Sequence, residues 1–326
     1  RHAMARDGQY QVSSALQRTT QEMLWDSVGE SIERQWDTLR DKARDITAGK
    51  THGTLRLNPA MKMPSYIDQN DHHAMPGGYS ADLADGDIFS GALYDRGAFI
   101  YTDGLLGPHM EGSGLSVVRF LQSQFPDLKP RRILELGCTT GATATVLGRT
   151  FPDAEIHAID VGAALLRYAH ARAEALDAGI KFSQQNAEHT DFADGSFDLV
   201  VTNAMLHETA FQAIHNIMGE CHRVLRNGGV MVHAEQPQFE GMDLFKAFTH
   251  DWDSYNNNEP FWGTVHDLDL EGLAVGAGFL RAAVFQRFAP GAAASAGTTQ
   301  HIDADPKKIM GSDRGGGLKF YFGAMK

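Results

Sequence analysis

The sequence predicts an α/β protein: a doubly wound, mainly parallel sheet preceded by an N-terminal, mainly helical cap. From about Arg131 onward, short apolar runs of strand length alternate with helix-length amphipathic segments, the spacing of βαβ units. The first of these runs ends in a glycine turn that opens a helix. Before about residue 110 the text differs, with helical periodicity followed by a tract rich in loops. This divides the chain into a cap and substrate region, residues 1–110, and a main domain, residues 111–326, carrying an insertion at about 238–263.

In the cap, periodicity over Leu24 to Ile46 predicts helix, Met61 to Gly104 reads as loop, and Glu111 to Phe125 as an amphipathic helix leading into the sheet. The first strand is Arg132-Ile133-Leu134-Glu135-Leu136, followed by a turn through Gly141 and a helix to Thr150. Ala154 to Asp160 is the second strand, Ala163 to Leu176 a helix, and Ile180 to Gln185 the third strand. Ser196 to Thr202 is the fourth. A helix from about Thr209 to Leu225 stops at Asn227-Gly228-Gly229, where positive φ costs little. Val230 to Glu235 is the fifth strand. An aromatic insertion, Phe239 to Trp262, interrupts the alternation before a helix near Asp267 to Ala277 and a strand at about Ala282 to Phe288. Ala289 to Gly317 reads as a long loop, and Leu318 to Phe322 as the last strand.

The bulk numbers exclude several classes. The 326 residues are 42% hydrophobic and 21% charged, and no apolar run approaches the ~18 residues of a membrane span. A formal net charge of −12 leaves no basic stripe for phosphates, which argues against nucleic acid as a partner. Cys138 and Cys221, the only cysteines, form neither a disulfide framework nor a zinc pattern, and a cytoplasmic setting fits. Arg1-His2-Ala3 before Met4 reads as foreign to the native chain and is left out of the fold.

A strand that ends in an acid and then a glycine turn into a helix start is built to receive a ligand's polar end, because glycine admits close approach and the helix start supplies unpaired N–H donors. Here the stretch is Leu134-Glu135-Leu136-Gly137-Cys138-Thr139-Thr140-Gly141. Asp160 closes the second strand, where a carboxylate can accept both hydroxyls of a ribose. Asn186-Ala187-Glu188 follows the third strand. Phe192-Ala193-Asp194-Gly195-Ser196-Phe197-Asp198 runs into the fourth, and His222-Arg223-Val224-Leu225-Arg226-Asn227-Gly228-Gly229 leads to the fifth.

Taken in order, these motifs resemble those of class I S-adenosylmethionine-dependent methyltransferases, nearest to the small-molecule branch typified by quinone-biosynthesis enzymes. The resemblance is close over about Arg131 to Glu235 and does not reach Tyr10 to Met110. It implies a Rossmann-like seven-stranded sheet of order 3-2-1-4-5-7-6 with S-adenosylmethionine as cofactor. It further implies that Gly137 and Gly141 approach the methionine part while Glu135 supports the loop and the amino group. Asn186 stands where the family usually has Asp to accept the adenine amino hydrogens, and an Asn carbonyl can still accept. Ala187 and Asn203 join the cofactor set. Thr139 departs from the pattern, standing where the middle glycine usually lies; either its backbone angles are ordinary or the loop has shifted.

For the acceptor, Asn203-Ala204-Met205-Leu206-His207-Glu208 follows the fourth strand at the carboxyl edge, and His207 is the first choice for a base or substrate orienter. Glu208 reads as a favourable helix start, and Glu235, closing the fifth strand, as a candidate substrate contact. Trp252, Tyr255 and Trp262 make the insertion a candidate lid, and the cap adds Tyr94 and His109. Asp71-His72-His73 suggests a metal, yet neighbours in an extended segment point apart and no third ligand stands near, so no metal is expected. Cys138 reads as a small packing residue.

The expected reaction is methyl transfer to O or N of a small, partly aromatic acceptor, with no membrane or nucleic-acid partner. A homodimer through the N-terminal helix is compatible with the sequence. Two other readings stand beside it: an NAD(P)-dependent oxidoreductase, whose Gly-x-Gly-x-x-Gly loop is similar, and a non-catalytic S-adenosylmethionine-binding regulatory protein.

Overall fold

A computed structural model describes residues 4–49, 51–292 and 317–326. The cap opens with α1 (Gly8–Glu33), whose start is capped by Asp7 accepting from the Gln9 amide at 2.9 Å, and continues with α2 (Trp36–Ala48). The single helical tract expected over Leu24 to Ile46 is thus two helices, broken at Arg34 and Gln35. Then come β1 (Thr54–Arg56), the single turn α3 (Ser65–Asp68), α4 (Phe89–Tyr101) and α5 (Gly112–Gln124). The tract expected to be loop contains α4, which the sequence disguises with Gly91 and Gly97 inside the helix.

The alternation that follows is β2 (Arg132–Leu136), α6 (Ala142–Thr150), β3 (Glu155–Asp160), α7 (Ala163–Ala175), β4 (Ile180–Gln184), β5 (Phe197–Asn203), α8 (Phe211–Val224) and β6 (Leu225–Glu235). The insertion forms α9 (Leu244–Asn256) and α10 (Trp262–His266). After α11 (Leu270–Gly276) the sheet is completed by β7 (Val284–Pro290) and β8 (Leu318–Met325). Most of the long loop expected at Ala289 to Gly317 lies outside the described residues; Ala289 and Pro290 belong to β7.

The sheet order is β1-β4-β3-β2-β5-β6-β8-β7, with β8 antiparallel to both its neighbours and every other pairing parallel. Without β1 this is the expected seven-stranded order. The eighth strand comes from the cap: Thr54, Leu55 and Arg56 pair with Lys181, Phe182 and Ser183 along the edge of β4. The Glu174 carboxylate at the end of α7 fixes it, accepting from the amides of His52 and Gly53 at 2.7 Å each.

Strand alternation sorts the apolar side chains onto two faces. Ile133, Leu199, Val201, Val230 and Val232 pack with Val117, Phe120 and Leu121 of α5, whereas Leu134, Leu136, Val200 and Met231 pack with Ile214, Ile217 and Val224 of α8. A third cluster joins Trp25, Val28, Ile67, Met75, Tyr79 and Leu93 of the cap to Leu165 of α7. The cap therefore lies over the α7 side of the carboxyl edge, where the strand-end loops open.

Candidate functional site

The loop after β2 turns through two left-handed glycines, Gly137 at φ 67° and Gly141 at φ 72°. A Cβ on Gly137 would lie 2.4 Å from Cγ of Met205, and one on Gly141 would lie 2.9 Å from the Phe182 ring. Thr139 between them is also left-handed, at φ 46°, a costly conformation for a β-branched residue. Of the two expectations for this position, ordinary backbone angles do not hold. The Asp160 carboxylate holds the turn in place, accepting from the Thr139 amide at 2.8 Å and from the Gly162 amide at 3.0 Å.

Gly137, Thr139, Asp160, Asn186, Ala187 and Asn203 all line one cleft of about 680 Å³ at the carboxyl edge. From the cap it receives Tyr66, Tyr79 and Tyr94; from the turn after β5 it receives Ala204, Met205, Glu208 and Thr209. Glu135 and Gly141 stand behind the loop, outside the lining. Glu135 is 2% exposed, with Oε2 lacking any partner, and burial drives its pKa well above the carboxylate range. Asn186 closes a local turn, its Oδ1 accepting from the Glu188 amide at 2.9 Å, while Asn203 donates to Oγ1 of Thr143 at 2.9 Å.

His207 is not among the lining residues. Its ring lies 4.3 Å from that of Trp262, Nδ1 is 2.7 Å from Oε2 of Glu235, and Nε2 is 3.7 Å from Oε1 of Glu208. Burial pulls its pKa down, but the charge and hydrogen bond of Glu235, with the charge of Glu208, hold it up at about 9. His207, expected as a base or substrate orienter, thus stands outside the lining, held between Glu235 and Trp262. Glu235 is also outside the lining: Oε1 accepts from the amides of Met205 and Leu206 at 2.8 and 2.6 Å while Oε2 faces His207 Nδ1 at 2.7 Å. It ties the turn after β5 to the end of β6.

Trp252 and Tyr255 turn away from the cleft. Trp252 packs edge-on against Tyr10 of α1 at 5.6 Å, and the half-exposed Tyr255 ring lies under the Arg18 guanidinium at 4.7 Å. In place of a free lid, α9 is bound to the cap. Trp262 packs at a tilt of 45° against His207 and donates to Nε2 of His266 at 2.7 Å, outside the cleft lining. His109 is an exposed residue whose carbonyl accepts from Arg172, away from the cleft.

Sequence reading missed Tyr66, Tyr79 and the part played by Glu208. Tyr79 donates to Oε1 of Glu208 at 3.1 Å, and Tyr66 donates to Oε1 of Glu188 at 3.0 Å. Burial would raise the Glu208 carboxyl, but the charge and hydrogen bond of His73 and the charge of His207 bring it down to about 2. It is thus an anion facing the cleft. The third group judged absent beside Asp71-His72-His73 is supplied by the fold, since Nε2 of His73 lies 2.9 Å from Oε1 of Glu208 and Nδ1 lies 3.0 Å from Oε1 of Glu259.

A family model described as a methyltransferase domain matches residues 133–229, the span that contributes most of the cleft's loops. This span is a methyltransferase domain. The chain is 34% identical over 108 residues to the demethylmenaquinone methyltransferase of Thermus thermophilus, covering 33% of this chain and 48% of that one. It is 30% identical over 115 residues to the fatty-acid O-methyltransferase of Mycolicibacterium smegmatis, covering 35% and 40%. The chain thus spans about half the length, or less, of these curated relatives. Among solved structures, phosphoethanolamine N-methyltransferase 2 of Haemonchus contortus, in complex with phosphomonomethylethanolamine and S-adenosylhomocysteine, superposes at a TM-score of 0.51. That match has 17% identity and covers 71% of this chain and 58% of the other, a likeness of fold. Among the described residues no helix is long and apolar enough to cross a membrane.

Proposed function

We propose that the chain transfers a methyl group from S-adenosylmethionine to an oxygen or nitrogen of a small, partly aromatic acceptor. The observation that carries this reading is the shared cleft. Gly137, Thr139, Asp160, Asn186 and Asn203, from the loops after four neighbouring strands, face it together with three cap tyrosines and Glu208. The residues suit the cofactor. Asp160 retains lone pairs toward the cleft for a ribose, and the partnerless Oε2 of Glu135 suits an ammonium group behind the turn.

When bound, S-adenosylmethionine supplies an electrophilic sulfonium methyl. The chain's task is then to hold the acceptor's lone pair in line with that methyl and to exclude water. Tyr79 is buried and Tyr94 half-buried, and desolvation raises their pKa values, so they stay neutral and can orient an acceptor by hydrogen bonding and ring contact. Glu208 favours an acceptor that presents an N–H or O–H. His207 serves as a positioning residue, its proton holding Glu235 and its charge steadying Glu208. A cytoplasmic setting is proposed with this reading. So is pairing of two copies through α1, on which Val12, Leu16 and Met23 are exposed.

The test is thermal unfolding with S-adenosylhomocysteine or NADH, followed by transfer of a labelled methyl group to a panel of phenols, amines and carboxylates. A ligand at about 100 times its Kd stabilises by ~2.7 kcal/mol. Stabilisation by S-adenosylhomocysteine alone supports the proposal, and stabilisation by NADH alone would overturn it. Binding with no transfer across the panel would favour a regulatory binding protein.

A further inference from the structure

Three segments far apart in the chain bring imidazoles and carboxylates together beside the cleft. His72 and His73 lie in the short turn His72–Ala74, Glu208 in the turn after β5, and Glu259 just beyond α9. His73, Glu208 and Glu259 offer ligand atoms that all lie within 4.8 Å of one another. Nε2 of His72 comes to 3.8 Å from Oε2 of Glu208. That is too long for a hydrogen bond, yet it lies within the span of two ligands around one ion at bonds of ~2.0–2.2 Å.

Unmet polar atoms concentrate here. His72 is fully buried with neither ring nitrogen partnered, and Oε2 of Glu208 and Oε2 of Glu259, both on buried residues, have no partner either. Tyr79 stacks on the His72 ring at 5.5 Å and fixes its plane. Two carboxylates share the one His73 imidazole, each through a single oxygen. Partnerless buried groups are costly, and a cluster of imidazole nitrogens and carboxylate oxygens without partners calls for a cation.

We propose that His72, His73, Glu208 and Glu259 form a binding site for one divalent transition-metal ion of the zinc class. Mixed imidazole and carboxylate donors suit zinc, cobalt or manganese better than magnesium or calcium, which prefer an all-oxygen shell. Whichever nitrogen of His73 binds the ion, the other keeps a carboxylate partner, the usual way a ligating imidazole is oriented. The His73 carbonyl is anchored by Nε1 of Trp25 at 2.8 Å and by the Gln21 amide, which fixes this turn from behind. Because Glu208 also lines the cleft, a bound ion would border the acceptor's end. The site does not depend on the methyl-transfer reading.

The experiment uses the full chain without a polyhistidine tag, stripped with chelator. Zn²⁺ binding is followed by calorimetry and by metal analysis after gel filtration, with Co²⁺ as a spectroscopic probe and Mg²⁺ as the contrast. One Zn²⁺ per chain, visible d–d absorption of bound Co²⁺ and no response to Mg²⁺ are expected. Glu259→Gln and His72→Gln should each weaken Zn²⁺ by at least ~10-fold. Far-UV circular dichroism and S-adenosylhomocysteine binding report whether each variant is folded. Failure of the wild-type chain to retain Zn²⁺ would overturn the proposal. So would unchanged Zn²⁺ affinity in either folded variant, or an equal response to Mg²⁺. Since none of these readouts involves methyl transfer, the site and the proposed reaction fail separately.

Discussion

At one end of the cleft, Gly137, Thr139 and Asn186 sit on turns that each follow a strand of the sheet, and Asp160 closes one of those strands. At the other, Tyr66, Tyr79 and Glu208 meet only because the cap folds over the same edge, with Glu259 of the insertion reaching them through His73. The first end inherits its geometry from strand register: β2 pairs with β3 from Arg132 to Leu136, which sets the turn after one beside the carboxylate that closes the other. The second depends on side chains bridging segments, such as Asn258 donating to the Asp71 carbonyl at 2.8 Å and the Trp25 indole to that of His73. The arrangement at the first end therefore follows from strand pairing, while that at the second rests on tertiary packing.

Predictions can separate the two ends. The largest effect is expected from Trp25→Ala, which empties a 4%-exposed site in the cap core and removes the anchor of the His73 turn. It should cost ~3–5 kcal/mol in denaturant unfolding; a loss below 1 kcal/mol would show that the cap does not hold its end of the cleft.

Asp160→Ala attacks the sheet end. It frees the Thr139 and Gly162 amides and should weaken S-adenosylhomocysteine by ~1.5–3 kcal/mol in calorimetry, with secondary structure retained. Unchanged affinity would take Asp160 out of the cofactor site.

Asp198→Asn probes the register itself. The Asp198 carboxylate accepts from the amides of Arg131 and Arg132 at 2.7 and 2.8 Å and pairs with Arg226, so its loss should cost ~1–3 kcal/mol. Burial alone would raise its pKa, but Arg226 and the two amides leave it below the ordinary Asp value. Its contribution should be complete above that ordinary value of ~3.9 and fade as pH falls through the lower folded one. Wild type and variant should thus converge in stability toward strong acid, and a constant gap down to pH 2 would contradict this.

The smallest effect is expected from Thr139→Gly, which relieves a left-handed threonine at some cost in chain entropy and should raise stability by ~0.5–1 kcal/mol. A lower melting temperature would show that the threonine is held by more than its backbone.

Legibility followed the same division. The strand-and-helix alternation from Arg132 to Glu235 and the acid at Asp160 could be read directly, because periodicity and strand ends are local properties. The surroundings of His207 could not: its position at the edge was visible, but its partner Glu235, 28 residues on, becomes its neighbour only through the pairing of β5 with β6. Trp252 and Tyr255 follow the fifth strand, where a lid is natural, yet Tyr10 and Arg18 of α1 draw them to the opposite side. Tyr66 and Tyr79 sit in a tract with no periodicity to place them. Glu259 carried no signal, since its partner His73 lies in the cap.

The short strand β1 links the fates of the two halves. It covers the outer hydrogen-bonding edge of β4 through three residues and is fastened by Glu174 of α7. Deleting the first sixty residues would expose that edge as a template for self-association, and such a truncated protein should aggregate at concentrations where the intact chain stays dispersed. By the same linkage, the amides of β4 and those of the cap helices facing α7 should exchange with deuterium as one cooperative unit.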